Sequence, residues 1–433
     1  MRFSPETWSA DRLKNVAVIN ASSLSAGTDP DFEFEYLEIS NVDYHGIVHR
    51  DAIEKLRFED APSRARRVVS KGCTVISSVR PNLQAIAHIH EDWPDLVCST
   101  GFNVVQPNEH ILNARFLYYV LLSDQTRQYL EATATGVGYP AVGDKDFNRL
   151  EVVLPMVPEQ ERIAAYLDAS CAAIDAAIDS KRQQIESLEV FRSSEVMRAV
   201  TNGLHGASLK SIEQDWLSAI PKHWQVVRVK RTLERMDYGI SISTEQEGQH
   251  QVLKMGNIQS GKVVFSKMEF VDDVPEELLL AYNDLLYNRT NSADQVGKAA
   301  VFKNTVSDSI TFASYLVRLR VNHKVSADFL NYVLNSEGFL GFARKLAIPS
   351  VQQSNLNSTR YGRMLVPLPP MSEQLEIVEK LNALDERVCE IKSTLEKQID
   401  TLTAYRKSLI HECVTGKRRI TETDLKQVQT HGR

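Results

Sequence analysis

The chain has 433 residues, of which 43% are hydrophobic and 24% charged, and its mean hydropathy is −0.27. These values exclude wholesale disorder, a collagen-like repeat and a lipid-embedded channel, and the length exceeds what one hydrophobic core organises, so two or three domains are expected. Fifty Lys and Arg against 56 Asp and Glu leave a net charge of −6, which taken alone argues against a chain that wraps nucleic acid by itself.

No run approaches the roughly 18 apolar residues of a membrane-crossing helix. The start, MRFSPETWSADRLK, carries no apolar leader, so a cytoplasmic location without a membrane partner is expected. Cys73, Cys98, Cys171, Cys389 and Cys413 are scattered and form no C-x-x-C pair. They read as reduced filler, not as a disulfide framework or a thiolate zinc site.

In chain order, residues 1–151 read as a domain of mixed α and β structure. Pro5-Glu6-Thr7-Trp8 opens it, an apolar strand within 71–82 runs into the turn Arg80-Pro81-Asn82 with Gln84, and FLYYVLL at 116–122 is helix-like. A loop from Gly136 through Tyr139 to Lys145 and a short strand follow. Residues 152–204 then read as one long helix, with Leu154-Pro155 as its lead-in, Glu159 and Glu161 in an acidic first turn and Gly203 placed to stop it. Its apolar positions step by four and three through Leu167, Cys171, Ile174, Ile178, Ile185 and Leu188, the spacing of a coiled-coil seam.

Residues 205–365 repeat the plan as a second mixed domain. Pro221-Lys222-His223-Trp224 opens it, YNDLLYNRTNS at 282–292 carries the turn Asn288-Arg289-Thr290-Asn291 with Gln295, FLNYVLN at 329–335 is helix-like, and a loop holds Gln352, Gln353 and Asn355. Residues 366–420 form the second long helix, with seam positions Leu381, Val388, Leu395, Ile399 and Leu402, and residues 421–433 form a polar tail.

The long helices are copies. A shift of 214 positions superposes 152–201 on 366–415 without a gap, matching Leu154-Pro155 with Leu368-Pro369, Glu159-Gln160 with Glu373-Gln374, and Arg192 with Arg406. Forty or so residues at about 1.5 Å each span roughly 60 Å, the length of a strut rather than of a packing element in one small core. The expected fold is α+β: two mixed α/β domains separated by two long helices that pair as an antiparallel coiled coil, with an internal pseudo-twofold repeat. Lys181 stands at the seam position where the second copy has Leu395, so imperfect or solvent-touched packing is expected there.

Catalytic signatures are absent: no phosphate-binding glycine loop, no dinucleotide fingerprint, no H-E-x-x-H and no G-x-S-x-G. The histidine pairs 45/49 and 88/90 lack a third ligand nearby in sequence, and His88 and His90 read as one exposed face of a strand. Base-reading chemistry is better supplied, because Arg can fork onto guanine's two acceptors and Asn or Gln can bind adenine's donor and acceptor together. The candidates are Arg80, Asn82, Gln84, Tyr139 and Lys145 in the first domain, and Arg289, Asn291, Gln295, Gln352, Gln353 and Asn355 in the second. Solvated turns are the alternative for each.

The doubled LP-x-x-x-EQ-x-x-I lead-in, each copy followed by a long heptad helix, resembles the specificity subunit of Type I restriction-modification systems over essentially the full chain. The resemblance implies a non-catalytic reader of double-stranded DNA, with 1–151 and 205–365 as target recognition domains that each read one half of a bipartite site. It implies two docked adenine methyltransferase subunits that use S-adenosylmethionine, and a separate motor and nuclease subunit that joins for cleavage. This chain is expected to bind no cofactor and no metal. Lys and Arg number 15 against 20 Asp and Glu in residues 1–150, but 19 against 16 in residues 205–365, so the methyltransferases are expected to supply missing phosphate contacts. The rival reading is a non-DNA assembly adaptor whose coiled coil joins proteins and whose two domains bind peptides. Sequence-dependent protection of DNA separates the two.

Overall fold

The computed structural model describes residues 8–43, 46–214, 216–304, 309–350 and 353–431. The chain forms two compact units, one from residues 1–182 with 396–433 and the other from residues 183–395. The long helices are Val157–Asn202 and Met371–Val414, and each unit takes half of each.

In the first unit, strands Ala17–Ile19, Phe102–Pro107, Thr74–Ser77 and Ile86–His88 make a four-stranded antiparallel sheet in that order. A second sheet runs Glu54–Arg57, Glu33–Leu37, Leu96–Ser99, Ala65–Val68, with its central pair parallel. The second unit repeats the plan. Leu233–Tyr238, Leu316–Val321, Leu285–Asn288 and Ala299–Val301 take the places of the first sheet, extended by Gly261–Val263 and Ile258–Gln259. Glu269–Val271, His250–Leu253 and Ile310–Phe312 form the smaller sheet, again with one parallel pair. The two domains thus share strand order although their sequences echo each other only faintly.

Helices Ala114–Leu122 and Ala327–Asn335 pack on these sheets and fall where the apolar stretches predict them. Each has a side-chain N-cap: Asn113 accepts the Phe116 N–H and Ser326 accepts the Phe329 N–H, satisfying a donor that has no partner inside the helix. Both are followed by a ten-residue helix, Asp124–Thr133 or Glu337–Leu346.

The EQ lead-in ties each domain to its long helix. Gln160 is fully buried; its Oε1 accepts the Asn113 N–H at 2.8 Å, and its Nε2 donates to the carbonyls of Ile111 and Pro155 at 2.8 Å each. Gln374 repeats the set with Ser326 N–H, Lys324 O and Pro369 O at 2.8, 3.0 and 2.9 Å. The preceding glutamates accept the indole N–H of the opening tryptophans, Trp8 to Glu159 at 3.2 Å and Trp224 to Glu373 at 2.9 Å. Pro5-Glu6-Thr7 lies outside the described residues. Gly203 and Gly416 stand just past the helix ends at φ +72° and +74°, the left-handed conformation a helix stop favours.

The long helices run antiparallel within each unit. In the first, Asp175 meets Arg406 at 3.0 Å while Lys181, further along, donates to Gln398, earlier in its helix, at 2.6 Å. In the second, Glu189 meets Lys392 at 2.8 Å, and Arg192 forks onto Asp385 at 2.7 and 3.0 Å. Of the seam positions, Leu167, Ile174, Ile178, Leu381, Val388 and Leu395 are buried, while Ile185, Leu188, Ile399 and Leu402 are only half-buried. Packing along the seam is therefore uneven, and Lys181 sits beside it with a polar partner. The polar tail holds a helix, Glu422–His431, whose Leu425 and Val428 pack on the core of the first unit.

Candidate nucleic-acid interface

In each domain the two predicted reading segments meet. In the first, Val79 and Thr135 both bridge to Ala141, and the Arg80 N–H donates to the Pro140 carbonyl at 2.7 Å. In the second, Thr290–Asn291 and Ile348–Ser350 flank Gln353–Asn355 in a three-stranded sheet, Asn355 pairing with both Thr290 and Ile348. Ala141 and Asn355 hold the same central place. A turn 50 or more residues earlier in the chain thus lies against a loop in both halves, a juxtaposition that needs the whole sheet to form.

Arg80 and Asn82 are exposed, and the Arg80 guanidinium carbon stands 4.3 Å over the Tyr139 ring. Gln84 turns inward, its amide donating to the Leu122 carbonyl at 3.4 Å. Arg80 and Gln84 both adopt left-handed backbone at φ +49° and +48°, which costs a non-glycine residue about 1–2 kcal/mol. Lys145 is exposed on the short helix Asp144–Phe147 that follows the loop.

In the second domain Arg289 is half-buried, with its guanidinium carbon 5.1 Å from the centre of the Tyr238 ring. Burial pushes the Tyr238 hydroxyl up, but hydrogen bonds with Ser358 and the neighbouring Arg289 cation outweigh it and leave a net shift downward. Asn291 Oδ1 accepts the Ser292 N–H at 2.8 Å, Gln295 Oε1 accepts from Lys298 Nζ at 2.9 Å, and Asn355 Nδ2 donates to Thr290 Oγ1 at 2.8 Å. Gln353 is exposed, and Gln352 lies outside the described residues. Asn288 is fully buried with neither amide atom hydrogen-bonded among the described residues, a cost on the order of 1–3 kcal/mol for each unpaired group. Tyr238 was not among the sequence candidates. It lies some fifty residues before the turn, on another strand, and nothing local marks it.

The reading of His88 and His90 as one exposed strand face needs correcting. His88 is half-buried beside Thr74 Oγ1 at 3.3 Å, and burial, with Arg115 nearby, holds its pKa down at about 4. It is neutral at pH 7. His45 lies outside the described residues, and among the described residues no three His, Cys, Asp or Glu side chains gather as metal ligands. A hollow of the second unit, about 1300 Å³, is walled in part by Arg192, Asp385, Lys303 and Asp328, of which Arg192 pairs with Asp385 and Lys303 with Asp328. Four of the cysteines are buried and Cys389 is exposed; burial pushes Cys98 and Cys413 up to about 12 and Cys171 to about 11. No helix among the described residues is long and apolar enough to cross a membrane.

A duplicated pair of mixed domains, each clamped to a long helix and each presenting an arginine turn against a return loop, defines a two-domain recognition protein. Residues 5–189 and 221–401 match the family described as the Type I restriction modification DNA specificity domain. The chain belongs to that family: it is a specificity subunit of Type I restriction-modification systems with two recognition domains. It is 26% identical to the Type I restriction enzyme MjaVIII specificity subunit of Methanocaldococcus jannaschii, over 75% of each chain. It is 22% identical to the EcoKI specificity subunit of Escherichia coli K12, over 73% of this chain and 67% of that one. A chain solved in a study of complex assembly and conformational transition of the Type I system superposes with a TM-score of 0.77 at 21% identity, covering 95% of this chain and 98% of its own. The HsdS subunit of Thermoanaerobacter tengcongensis gives 0.55 at 22% identity, over 96% and 98%. These two likenesses bear on the fold.

Proposed function

We propose that this specificity subunit is non-catalytic and reads a two-part target in double-stranded DNA, one half per recognition domain, while its paired long helices set the gap and scaffold two methyltransferase subunits. The observation that carries the reading is repetition at the level of side chains: the glutamine clamp, the tryptophan–glutamate contact and the arginine turn against its loop each occur twice. Two readers of one design on one chain suit two half-sites. Arg80, Asn82, Tyr139 and Lys145 would face one half, and Arg289, Asn291, Gln295, Gln352, Gln353 and Asn355 the other. S-adenosylmethionine would bind the methyltransferases rather than this chain, a cleaving subunit would join the same assembly, and the work would be done in the cytoplasm.

The test is to produce the chain with Type I methyltransferase subunits in a methylation-free host and map adenine methylation by single-molecule sequencing. The expected result is one motif of two short specific parts separated by a fixed number of unread bases. A one-part motif, or no sequence-dependent methylation, overturns the proposal.

A further inference from the structure

Most partly buried arginines of this chain are paired with carboxylates: Arg115 with Asp168, Arg127 with Asp124 and Glu131, Arg192 with Asp385, Arg318 with Asp237, Arg320 with Asp284, Arg406 with Asp175. Arg66, over Phe58, and Arg418, over Tyr166, are instead held against a ring, and the two arginines of the reading turns, Arg289 half-buried and Arg80 exposed, share that arrangement. Arg80 and Arg289 have no carboxylate partner among the described residues, and each guanidinium lies over a tyrosine ring instead. The tyrosines come from unrelated places, Tyr139 from the return loop and Tyr238 from the end of strand Leu233–Tyr238. One arrangement is thus reached by two routes.

In the second domain the assembly is held from several sides. The Arg289 N–H donates to the Tyr315 carbonyl at 3.0 Å, and its own carbonyl accepts the Leu356 N–H at 2.8 Å. The Tyr238 hydroxyl shares a 2.8 Å hydrogen bond with Ser358 Oγ and accepts the Ser358 N–H at 3.3 Å. Arg289 Nε is buried without a partner among the described residues. The Arg289 guanidinium also hydrogen-bonds the Tyr238 side chain, while the ring face attracts a guanidinium without consuming its other N–H donors and restricts the plane in which they lie. A carboxylate would fix the same group but occupy the donors and cancel the charge.

We infer that Tyr238 and Tyr139 are positioning residues: each holds the guanidinium of its turn arginine, Arg289 or Arg80, in the plane needed to fork onto the O6 and N7 acceptors of a guanine, one guanine in each half of the target. This rests on the proposed function and deepens it from a set of candidate readers to one reader and one support per domain. The tyrosines are 43% and 71% exposed, so replacing them removes little core.

The experiment uses the full chain with its methyltransferase subunits on a library randomised across both half-sites, read by single-molecule sequencing, for Arg289→Ala, Tyr238→Leu, Tyr238→Phe and the corresponding Arg80 and Tyr139 variants. Arg289→Ala is expected to lower discrimination for guanine at one position of one half-site by roughly 5- to 100-fold. Tyr238→Leu should relax that same position at least about fivefold, and Tyr238→Phe, which keeps the ring, should retain most of the discrimination. The other half-site should read as before, which also reports that the variant folds and assembles. Should Tyr238→Leu not assemble, Tyr238→Met takes its place. If Arg289→Ala relaxes one position and the non-aromatic Tyr238 variant does not, the inference fails while the proposed function stands. If the non-aromatic variant weakens methylation equally at all sequences, as loss of a phosphate contact or of packing would, the inference fails as well. If Arg289→Ala changes no position, the turn is not a reader, and the residue assignment of the proposed function falls with the inference.

Discussion

Gln160 and Gln374 show what one side chain can fix. Each is buried at the junction of domain and long helix, where it closes one backbone N–H and two carbonyls that would otherwise be stranded. Only an uncharged amide offers both an acceptor and two donors there. The EQ pair was legible in the sequence as a repeated motif, but its job was not, because its partners lie 47 to 50 residues upstream as well as at the lead-in itself. Arg318 is likewise invisible in the sequence: a fully buried guanidinium on a central strand, forked onto Asp237 with Nη2 at 2.6 Å. Burial raises the Asp237 carboxyl, but the hydrogen bonds and charges of Arg318 and then Arg235 outweigh it, so its pKa lies below the ordinary 3.8. A depressed carboxylate contributes stability above its unfolded pKa and loses it as pH falls through the folded value. Asp237→Asn is therefore expected to destabilise the protein by about 3 kcal/mol at neutral pH. The gap from the parent should hold from pH 7 to 5 and narrow only below 3.8, as measured by urea unfolding across that range. A gap that closes above pH 5 would place the stabilisation elsewhere.

Among the elements, the long helices were the most legible, since a four-and-three apolar step and a glycine stop are local signals. Their antiparallel pairing was also foreseen, from the matching seams. Side-chain exchange was not. Arg192 and Arg406 occupy the same place in the two copies, yet Arg192 forks onto Asp385 while Arg406 meets Asp175, one turn out of correspondence, because Cys171 stands where the second copy has Asp385. Thin packing at Ile185 and Leu188 marks the stretch where a change of phase is most readily absorbed. Four residues inserted after Gln184 rotate everything beyond them, since a coiled coil tolerates such a stutter only by local rewinding. The expected outcome in the methylation assay is an altered gap between half-sites or loss of modification. An unchanged gap with full activity would separate the helices from any measuring role.

For the molecule as a whole, charge decides how it meets DNA. A net charge of −6 leaves acidic groups in excess, and many arginines are internally neutralised. Phosphate contacts supply most non-specific affinity and fall steeply with salt. The isolated chain is expected to bind target DNA weakly, with binding lost between about 50 and 200 mM salt, and a complex with methyltransferase subunits is expected to bind tightly and specifically. A gel-shift titration over salt checks both, and tight specific binding by the chain alone would contradict the account.

The duplication, the position of the long helices, the helices at 116–122 and 329–335 and the identity of the turn arginines were determined by local pattern, which survives in a linear chain because helix periodicity and motif spacing are short-range properties. Strand order, the parallel strand pairs, the meeting of each turn with its return loop and the tyrosine beneath Arg289 were decided only in three dimensions. Hydrogen bonding between strands depends on which distant segments share an edge, and a ring 51 residues from its cation leaves no periodic trace. Among the described residues, the fold that leaves Arg80 and Arg289 without a carboxylate partner gives them their tyrosines.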